Sequence, residues 1–338
     1  MTQRIKIALI GCGKIAQSHW RGIQTHAPQL EVTAVVDTNP EQRSAMATKT
    51  GAQAFATLDD ALASSHFDAV DIMLPHNLHE AAALRAFASG KHVVLEKPMA
   101  PTLAACERIL AAAAQAGTVF MVAEQSHYWS DVLKVRELIQ QGEIGELITA
   151  RAYFCESAEP LQGARPWRYE LAQAGGGICI DGGAHWIRPL RMWLGEIDEV
   201  VAVTGHLVTE MEGESFARSL LRFESGVVAV FDAIYGDIFV GPGEEFRITG
   251  TNGELVVEKG PDGRLLRYDR SHPDGEVIMH KSKGRGSASF GRELADFSRA
   301  VLEGTPLAAS PEYALGELRT ALALYHSATT REWTKVWV

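Results

Sequence analysis

Three short constellations in this 338-residue chain combine residue types and spacings that can do chemistry. The first, Gly11-Cys12-Gly13-Lys14-Ile15-Ala16, follows a short apolar run and opens a helical pattern. Missing β-carbons at Gly11 and Gly13 let the backbone approach a pyrophosphate, and the first-turn amides, those of Lys14 and Ile15 among them, bind it. Asp37 stands about 20 residues further on, where a carboxylate accepts hydrogen bonds from a ribose diol and repels a 2′-phosphate. Together they predict dinucleotide binding, with NAD preferred to NADP. The alternative is a structural glycine turn with a solvated aspartate. Arg43 keeps NADP in play, although a helix-surface charge is its simpler reading.

Glu96-Lys97-Pro98 is the second constellation. Pro98 biases Lys97 away from helical geometry, so its side chain can turn over a strand end. There an ammonium can bind a hydroxyl and, partly desolvated, take part in proton transfer. The third is Gly175-Gly176-Gly177 followed by Asp181 and His185. Its four-residue step predicts a carboxylate and an imidazole on one helix face. An imidazole suits a base that takes a hydroxyl proton while hydride leaves the same carbon. A metal pair and a structural pair are the alternatives, and the triple glycine favours a site because it allows close backbone approach.

The elements that must position these residues follow from periodicity. Ile5 to Ile10, Glu31 to Asp37, Ala69 to Met73, His92 to Leu95 and Val119 to Val122 read as strands. Helical stretches separate them: from the glycine turn toward His26, from Pro40 toward Gly51, from about His76 to Ser89, and from Thr102 to Ala116. Asn39-Pro40 with Gln42 is an N-terminal capping signal. Such βα alternation predicts a parallel sheet with helices on both faces, within residues 1 to 123.

Beyond it the period changes to hairpins, Ser215 to Phe223 with Val227 to Tyr235 and Phe246 to Thr249 with Glu254 to Glu258. With Leu147 to Phe154 and Val200 to Val208 they predict an antiparallel sheet, one face covered in part by a helix over Asp181 to Leu194. Residues 260 to 289 read as exposed, mobile loops or edge strands. Helices are expected at Gly291 to Glu303 and after Pro311.

Composition limits the possibilities further. The chain carries a formal charge of −10, with 46% hydrophobic and 22% charged residues, an ordinary globular balance. No basic footprint for nucleic acid or an anionic membrane stands out beyond the short Lys281 to Arg285 stretch, so a small molecule is the expected partner. No apolar run reaches the about 20 residues of a membrane span, and no signal-peptide core fits before Gly11, which predicts a cytosolic protein. Cys12, Cys106, Cys155 and Cys179 have no metal-ligand spacing and read as reduced, buried thiols; no metal is expected.

In this order the segments resemble the Gfo/Idh/MocA family of nicotinamide-dependent sugar and polyol oxidoreductases. The resemblance is carried by Gly11 to Ala16, Asp37, Leu74-Pro75-His76-Asn77-Leu78-His79, Glu96-Lys97-Pro98, Trp167-Arg168 and Asp181-Gly182-Gly183-Ala184-His185. It implies a Rossmann domain over 1–123 and an α/β domain over 124–338 built on a large, open, mostly antiparallel sheet, with the C-terminal helices able to pack back on the first domain. It places the active site at their junction. It also implies that Lys97, Asp181 and His185 are catalytic, His185 as proton acceptor, Lys97 on the reacting hydroxyl and Asp181 orienting substrate. Pro75, Asn77, His79 and Glu96 would line the cofactor side, and Trp167 and Arg168 the sugar side.

One stretch departs from the family pattern. Glu124-Gln125-Ser126-His127-Tyr128-Trp129 stands where many members have an asparagine and an Arg-aromatic pair. Gln125 is the candidate to replace the amide near the nicotinamide, and His127 and Tyr128 are candidates to set substrate preference. A packed aromatic loop is the alternative. Three functions remain: NAD-dependent oxidation of a secondary hydroxyl, a glycosidase or isomerase that recycles NAD, and a catalytically silent sugar or cofactor sensor. The open sheet predicts a homodimer or homotetramer.

Overall fold

A computed structural model describes residues 4–64, 66–158, 166–281 and 286–337. Most of the basic stretch after Lys281 lies outside the described residues. The chain runs β1 (Ile5–Ile10), α1 (Lys14–His26), β2 (Leu30–Val36), α2 (Pro40–Thr50), β3 (Gln53–Phe55), α3 (Leu58–Ser64), β4 (Ala69–Ile72), α4 (His79–Ala88), β5 (His92–Glu96), α5 (Leu103–Ala116) and β6 (Phe120–Ala123). It continues through α6 (Ser130–Gln140), β7 (Leu147–Ser157), α7 (Leu171–Ala174), α8 (Ala184–Leu194), β8 (Ile197–Gly205), β9 (Phe216–Phe223), β10 (Val228–Gly236), β11 (Glu244–Gly250) and β12 (Gly253–Glu258). β13 (Arg264–Asp269), β14 (Glu276–His280), α9 (Ser287–Glu303), α10 (Leu315–Thr330) and β15 (Thr334–Lys335) complete it. Two compact units result, Met1–Gln125 with Gly286–Leu315, and Ser126–Arg285 with Gly316–Val338.

In the first unit six parallel strands lie in the order β3-β2-β1-β4-β5-β6. β1, β4 and β5 are buried nearly throughout because helices cover both sheet faces. Strand order reverses between β1 and β4, which opens a crevice at the carboxyl ends. Asn39 caps α2, its Oδ1 accepting from Glu41 N at 2.9 Å and Gln42 N at 3.1 Å, and Gly51 ends it with φ +73°. β3 and α3, 3 and 7 residues long, are too short to show a period in sequence.

Helix α9, which a boundary at residue 123 leaves in the second domain, belongs to the first unit. Its Leu294 and Phe297 join Leu9, Ile23, Val35 and Val94 in one core. It crosses α1 where two glycines meet: a Cβ on Gly22 would lie 2.7 Å from Gly291 N, and one on Gly291 2.7 Å from His26 Cβ. Larger residues would push these helices apart.

The second unit carries a nine-stranded sheet in the order β14-β13-β12-β11-β7-β10-β9-β8-β15, antiparallel except for the β7–β10 pair. β9 alternates as expected of a sheet covered on one side, with Ala217, Ser219, Leu221 and Phe223 buried and Arg218, Leu220 and Arg222 exposed. α8 covers the buried face: Trp186 packs on Phe154 with ring centroids 4.6 Å apart, and Trp193 on Phe246 at 5.1 Å. β8 spans Ile197–Gly205 instead of Val200 to Val208. Ser215 Oγ accepts from Leu207 N at 2.6 Å and Val208 N at 2.9 Å, which draws that stretch out of the ladder into a turn. β13 and β14 form the sheet edge within the region read as loops or edge strands.

All four cysteines are buried and unpaired. Burial, reinforced by the Asp37 charge, pushes the Cys12 thiol up to about 12, and burial does the same at Cys106. No described helix is long and apolar enough to cross a membrane.

Candidate active site

Because the first sheet is parallel, the segments after β1, β2, β4, β5 and β6 all emerge on one edge. Gly11 takes φ +91°, and a Cβ there would lie 2.4 Å from Met73 O across the switch point. Beside Gly13 the nearest group to an added Cβ is Gln42 Oε1 at 4.0 Å, so space is open in front of α1. No side chain caps that helix and its first turn holds no acidic residue. Asp37 faces the glycine turn: Oδ2 accepts from Cys12 N and Oδ1 from Asn39 N, both at 2.7 Å. Arg43 Nη1 donates to the Asp37 carbonyl at 2.5 Å. An open helix start with bare glycines and a fixed carboxylate after the next strand fits a dinucleotide.

Pro75 and the exposed Asn77 lie on the short turn after β4, and Gln125 after β6, its Oε1 accepting from Ser289 Oγ of α9 at 3.0 Å. Lys97 leaves β5 half-buried, with its N–H donating to Ala123 O at 3.2 Å and Glu96 Oε2 at 3.1 Å, and the Lys97–Pro98 peptide is cis. His79 and Glu96, expected to line the cofactor side, make internal contacts at this edge. His79 is fully buried, its ring nitrogens each 2.9 Å from Pro98 O and Leu74 O, so it braces two loops of the edge. Burial lowers its pKa, with the two carbonyls opposing. Glu96 turns inward to His19.

That inward turn belongs to a buried acidic cluster the sequence did not single out. His19 lies between Asp71 and Glu96, and the wholly buried Glu293 of α9 has neither carboxyl oxygen hydrogen-bonded among the described residues. Burial, opposed by the His19 charge and reinforced by those of Glu96, Glu124 and Asp71, holds the Glu293 carboxyl well above its usual range. A raised carboxyl pKa gives stability that is complete below the unfolded value of 4.5 and is lost as pH rises toward the folded value. Glu293→Gln, isosteric with the protonated acid, should therefore gain stability over the parent with rising pH, by about 1.4 kcal/mol per pH unit for one proton. Urea denaturation at several pH values checks this; parallel curves for the two proteins would contradict it.

In the second unit, α8 begins only at Ala184, so Asp181 sits in the preceding turn and not on the helix face with His185. That turn still has helical bonding, Asp181 N donating to Gly177 O at 3.3 Å and Gly183 N to Ile178 O at 2.7 Å. Arg168 Nε donates to Asp181 Oδ2 at 2.9 Å, and the same guanidinium lies 4.4 Å from the Trp167 ring centroid. Trp167, Arg168 and Asp181 are thus brought together. The His185 ring is 6.2 Å from buried Trp129. His127 is buried with its ring 5.3 Å from that of Tyr128.

The triple glycine has a reason other than ligand approach. A Cβ on Gly177 would lie 2.0 Å from Glu214 O, and one on Gly176 2.5 Å from Tyr325 Oη. Glu214 Oε1 accepts from Cys179 N at 2.8 Å and from Tyr325 Oη at 3.0 Å, and burial raises its carboxyl pKa. These two distant residues clamp the turn that presents Asp181. Glu156, near the end of β7, was also missed. Desolvation raises its carboxyl pKa, with the charges of His185 and Lys259 opposing and those of Asp181 and Glu245 reinforcing.

Comparison with known proteins agrees with both halves. Residues 5–124 match the oxidoreductase family with an NAD-binding Rossmann fold, and residues 132–256 match the GFO/IDH/MocA C-terminal domain. The chain is 30% identical over 332 residues to 1,5-anhydro-D-fructose reductase of Ensifer adhaerens, covering 95% of this chain and 96% of that protein. It is 26% identical to 2,7-anhydro-N-acetylneuraminate hydratase of Escherichia coli, over 96% of this chain and 86% of the relative. The WlbA dehydrogenase from Bordetella pertussis, crystallised with NADH and UDP-GlcNAcA, shares the fold with a TM-score of 0.84 at 24% identity, over 98% and 99% of the two chains. The chain belongs to the Gfo/Idh/MocA family of oxidoreductases, with an NAD-binding Rossmann domain at its start.

Proposed function

We propose that this oxidoreductase transfers hydride between a secondary hydroxyl of a sugar, inositol or related polyol and NAD. The nicotinamide supplies the hydride acceptor. The chain's own residues hold the alcohol and move its proton. His185 takes a hydroxyl proton on a ring nitrogen, and Lys97 Nζ donates to a substrate hydroxyl. Asp181, oriented by Arg168, and Trp167 hold the rest of the sugar. The observation that carries this reading lies within the first unit: Lys97 leaves the same sheet edge as the Gly11 turn and Asp37.

Asp37 supports NAD over NADP, because its fixed carboxylate would face a 2′-phosphate. Asp37→Asn keeps an acceptor oxygen and removes the charge. It should lower the ratio of NAD to NADP affinity by about tenfold or more, since hydrogen bonds to charged groups are worth about 1.5–3 kcal/mol. Fluorescence titration with both cofactors checks this; an unchanged ratio would remove Asp37 from cofactor choice.

The reaction is tested by incubating the protein and NAD with pyranoses, uronates, inositols and glycosides, and with 1,5-anhydro-D-fructose and reduced cofactor. Nicotinamide absorbance and chromatography of the sugar are followed together. Net cofactor turnover with at least one compound is expected. Tight NAD binding with no conversion of any sugar would defeat the reading.

The hydratase relative favours a second reading, in which NAD stays bound and is recycled. Sugar conversion without net change in nicotinamide absorbance would select it. The exposed apolar side chains Ile148, Val203 and Leu220 on strands of the second sheet support a homodimer or homotetramer. Light scattering showing a monomer would oppose that. The four unpaired cysteines support a reducing, cytosolic setting.

A further inference from the structure

We propose that His19 is a positioning residue for Lys97, acting through Glu96 from a place where it touches neither substrate nor cofactor. This assignment rests on the role given to Lys97 above. His19 is 0% exposed on α1. Its Nδ1 lies 2.8 Å from Asp71 Oδ2 and its Nε2 2.9 Å from Glu96 Oε1. A neutral imidazole has a single N–H, so one nitrogen would face a carboxylate oxygen lone pair to lone pair. With both carboxylates ionised, only the doubly protonated ring satisfies both contacts.

The consequence is mechanical. Asp71 belongs to β4 and Glu96 ends β5, so the ring joins two neighbouring strands to α1 just below the edge that carries the chemistry. Phe290 of α9 packs on the ring with centroids 5.0 Å apart and leaves it little freedom to turn. With Oε1 held by His19, the other oxygen of Glu96 is aimed at Lys97, whose N–H it accepts at 3.1 Å. Without the cation, the Glu96 carboxylate would share a buried space with Asp71 and Glu124, all three acids at 8% exposure or less. Ionised carboxylates so placed repel one another, and Glu96 would take a proton or turn away. Either change releases the backbone from which the Lys97 side chain departs. Burial alone would keep His19 neutral; the Asp71 charge and the hydrogen bonds to Asp71 and Glu96 override it and hold the ring well above its usual pKa.

The test compares His19→Gln, Lys97→Ala and the double variant on the panel sugar with the highest kcat/KM. His19→Gln should lower kcat by about 10- to 100-fold, the scale of a misplaced catalytic group, with the KM for sugar and the affinity for NAD nearly unchanged. In the Lys97→Ala background the same substitution should cost nothing further, since its route to the reaction is already gone. Losses that add in the double variant, or an unchanged kcat in His19→Gln, would overturn the proposal. If His19→Gln does not fold, Glu96→Gln provides the same cycle, since its amide oxygen can still accept from Lys97 N–H while its hold on the ring weakens. Nuclear magnetic resonance of the intact protein with labelled histidine gives a readout without substrate. Both His19 nitrogens should carry protons at about pH 8, where an ordinary imidazole is neutral, and a neutral His19 there would also overturn it. Full kcat in Lys97→Ala would instead defeat the role of Lys97 itself, so the two failures are distinguishable.

Discussion

His185→Asn is expected to lower kcat by about 10²–10⁴-fold, the usual contribution of a positioned general base, while NAD binding persists. The imidazole can take and return a hydroxyl proton; an asparagine of similar size keeps a polar contact but cannot titrate. The surroundings explain why the fold should tolerate the change. His185 N donates to Gly182 O at 3.2 Å whatever the side chain is, and α8 is fixed further along by Arg188 and Arg191. Added imidazole should restore part of the rate if the loss is a missing base and not a displaced helix. Single-turnover measurement of cofactor reduction is the direct check. An undiminished rate with sugar and NAD bound would remove His185 from the proton transfer.

Glu317→Ala should destabilise the second unit by about 3–5 kcal/mol, the cost of stripping one partner from a buried ion pair. Glu317 of α10 is 6% exposed and Arg188 of α8 is 2% exposed. Oε1 and Oε2 accept from Arg188 Nε and Nη2, each at 2.8 Å, and Oε1 also accepts from Arg191 Nη1. Arg191 reaches on to Glu196 at 2.9 and 2.6 Å, so one carboxylate anchors a network that fixes α8 behind the Asp181 turn. Removing it leaves guanidinium charge in a dry place without its main counter-ion. Urea denaturation of Glu317→Ala measures the loss. The exposed Arg85–Asp59 pair, at 61% and 64% side-chain exposure, is the control, since solvent-screened pairs of that kind contribute little. Equal effects at the two positions would mean that burial does not govern this network.

What the sequence revealed and what it hid divide along contact distance in the chain. The Gly11 turn, Asp37 and the Asn39 cap were legible because each is a local pattern within one βαβ unit. Lys97 was legible because a proline after a buried strand marks a strand end. Asp181 was placed correctly in chain order but one turn too far into a helix, because a four-residue step looks the same in a helix and in the irregular helical turn before it. Glu214 and Tyr325 were invisible for a different reason. They reach Gly176 and Gly177 from 37 and 148 residues away, and no spacing rule links an apolar-context acid to a glycine that distant. His19 was hidden by appearing as one polar residue on an amphipathic helix; only the neighbouring β4 and β5 show that it is buried between two acids.

The interrupted first unit sets an order of events on the ribosome. Strands β1 to β6 emerge early, yet the core they share with Leu294 and Phe297 stays incomplete until more than half of the remaining polypeptide has been translated. During that interval apolar surface around Leu9 and Ile23 lacks its native cover, and chaperone capture or delayed compaction of the nascent N-terminal segment follows from that connectivity.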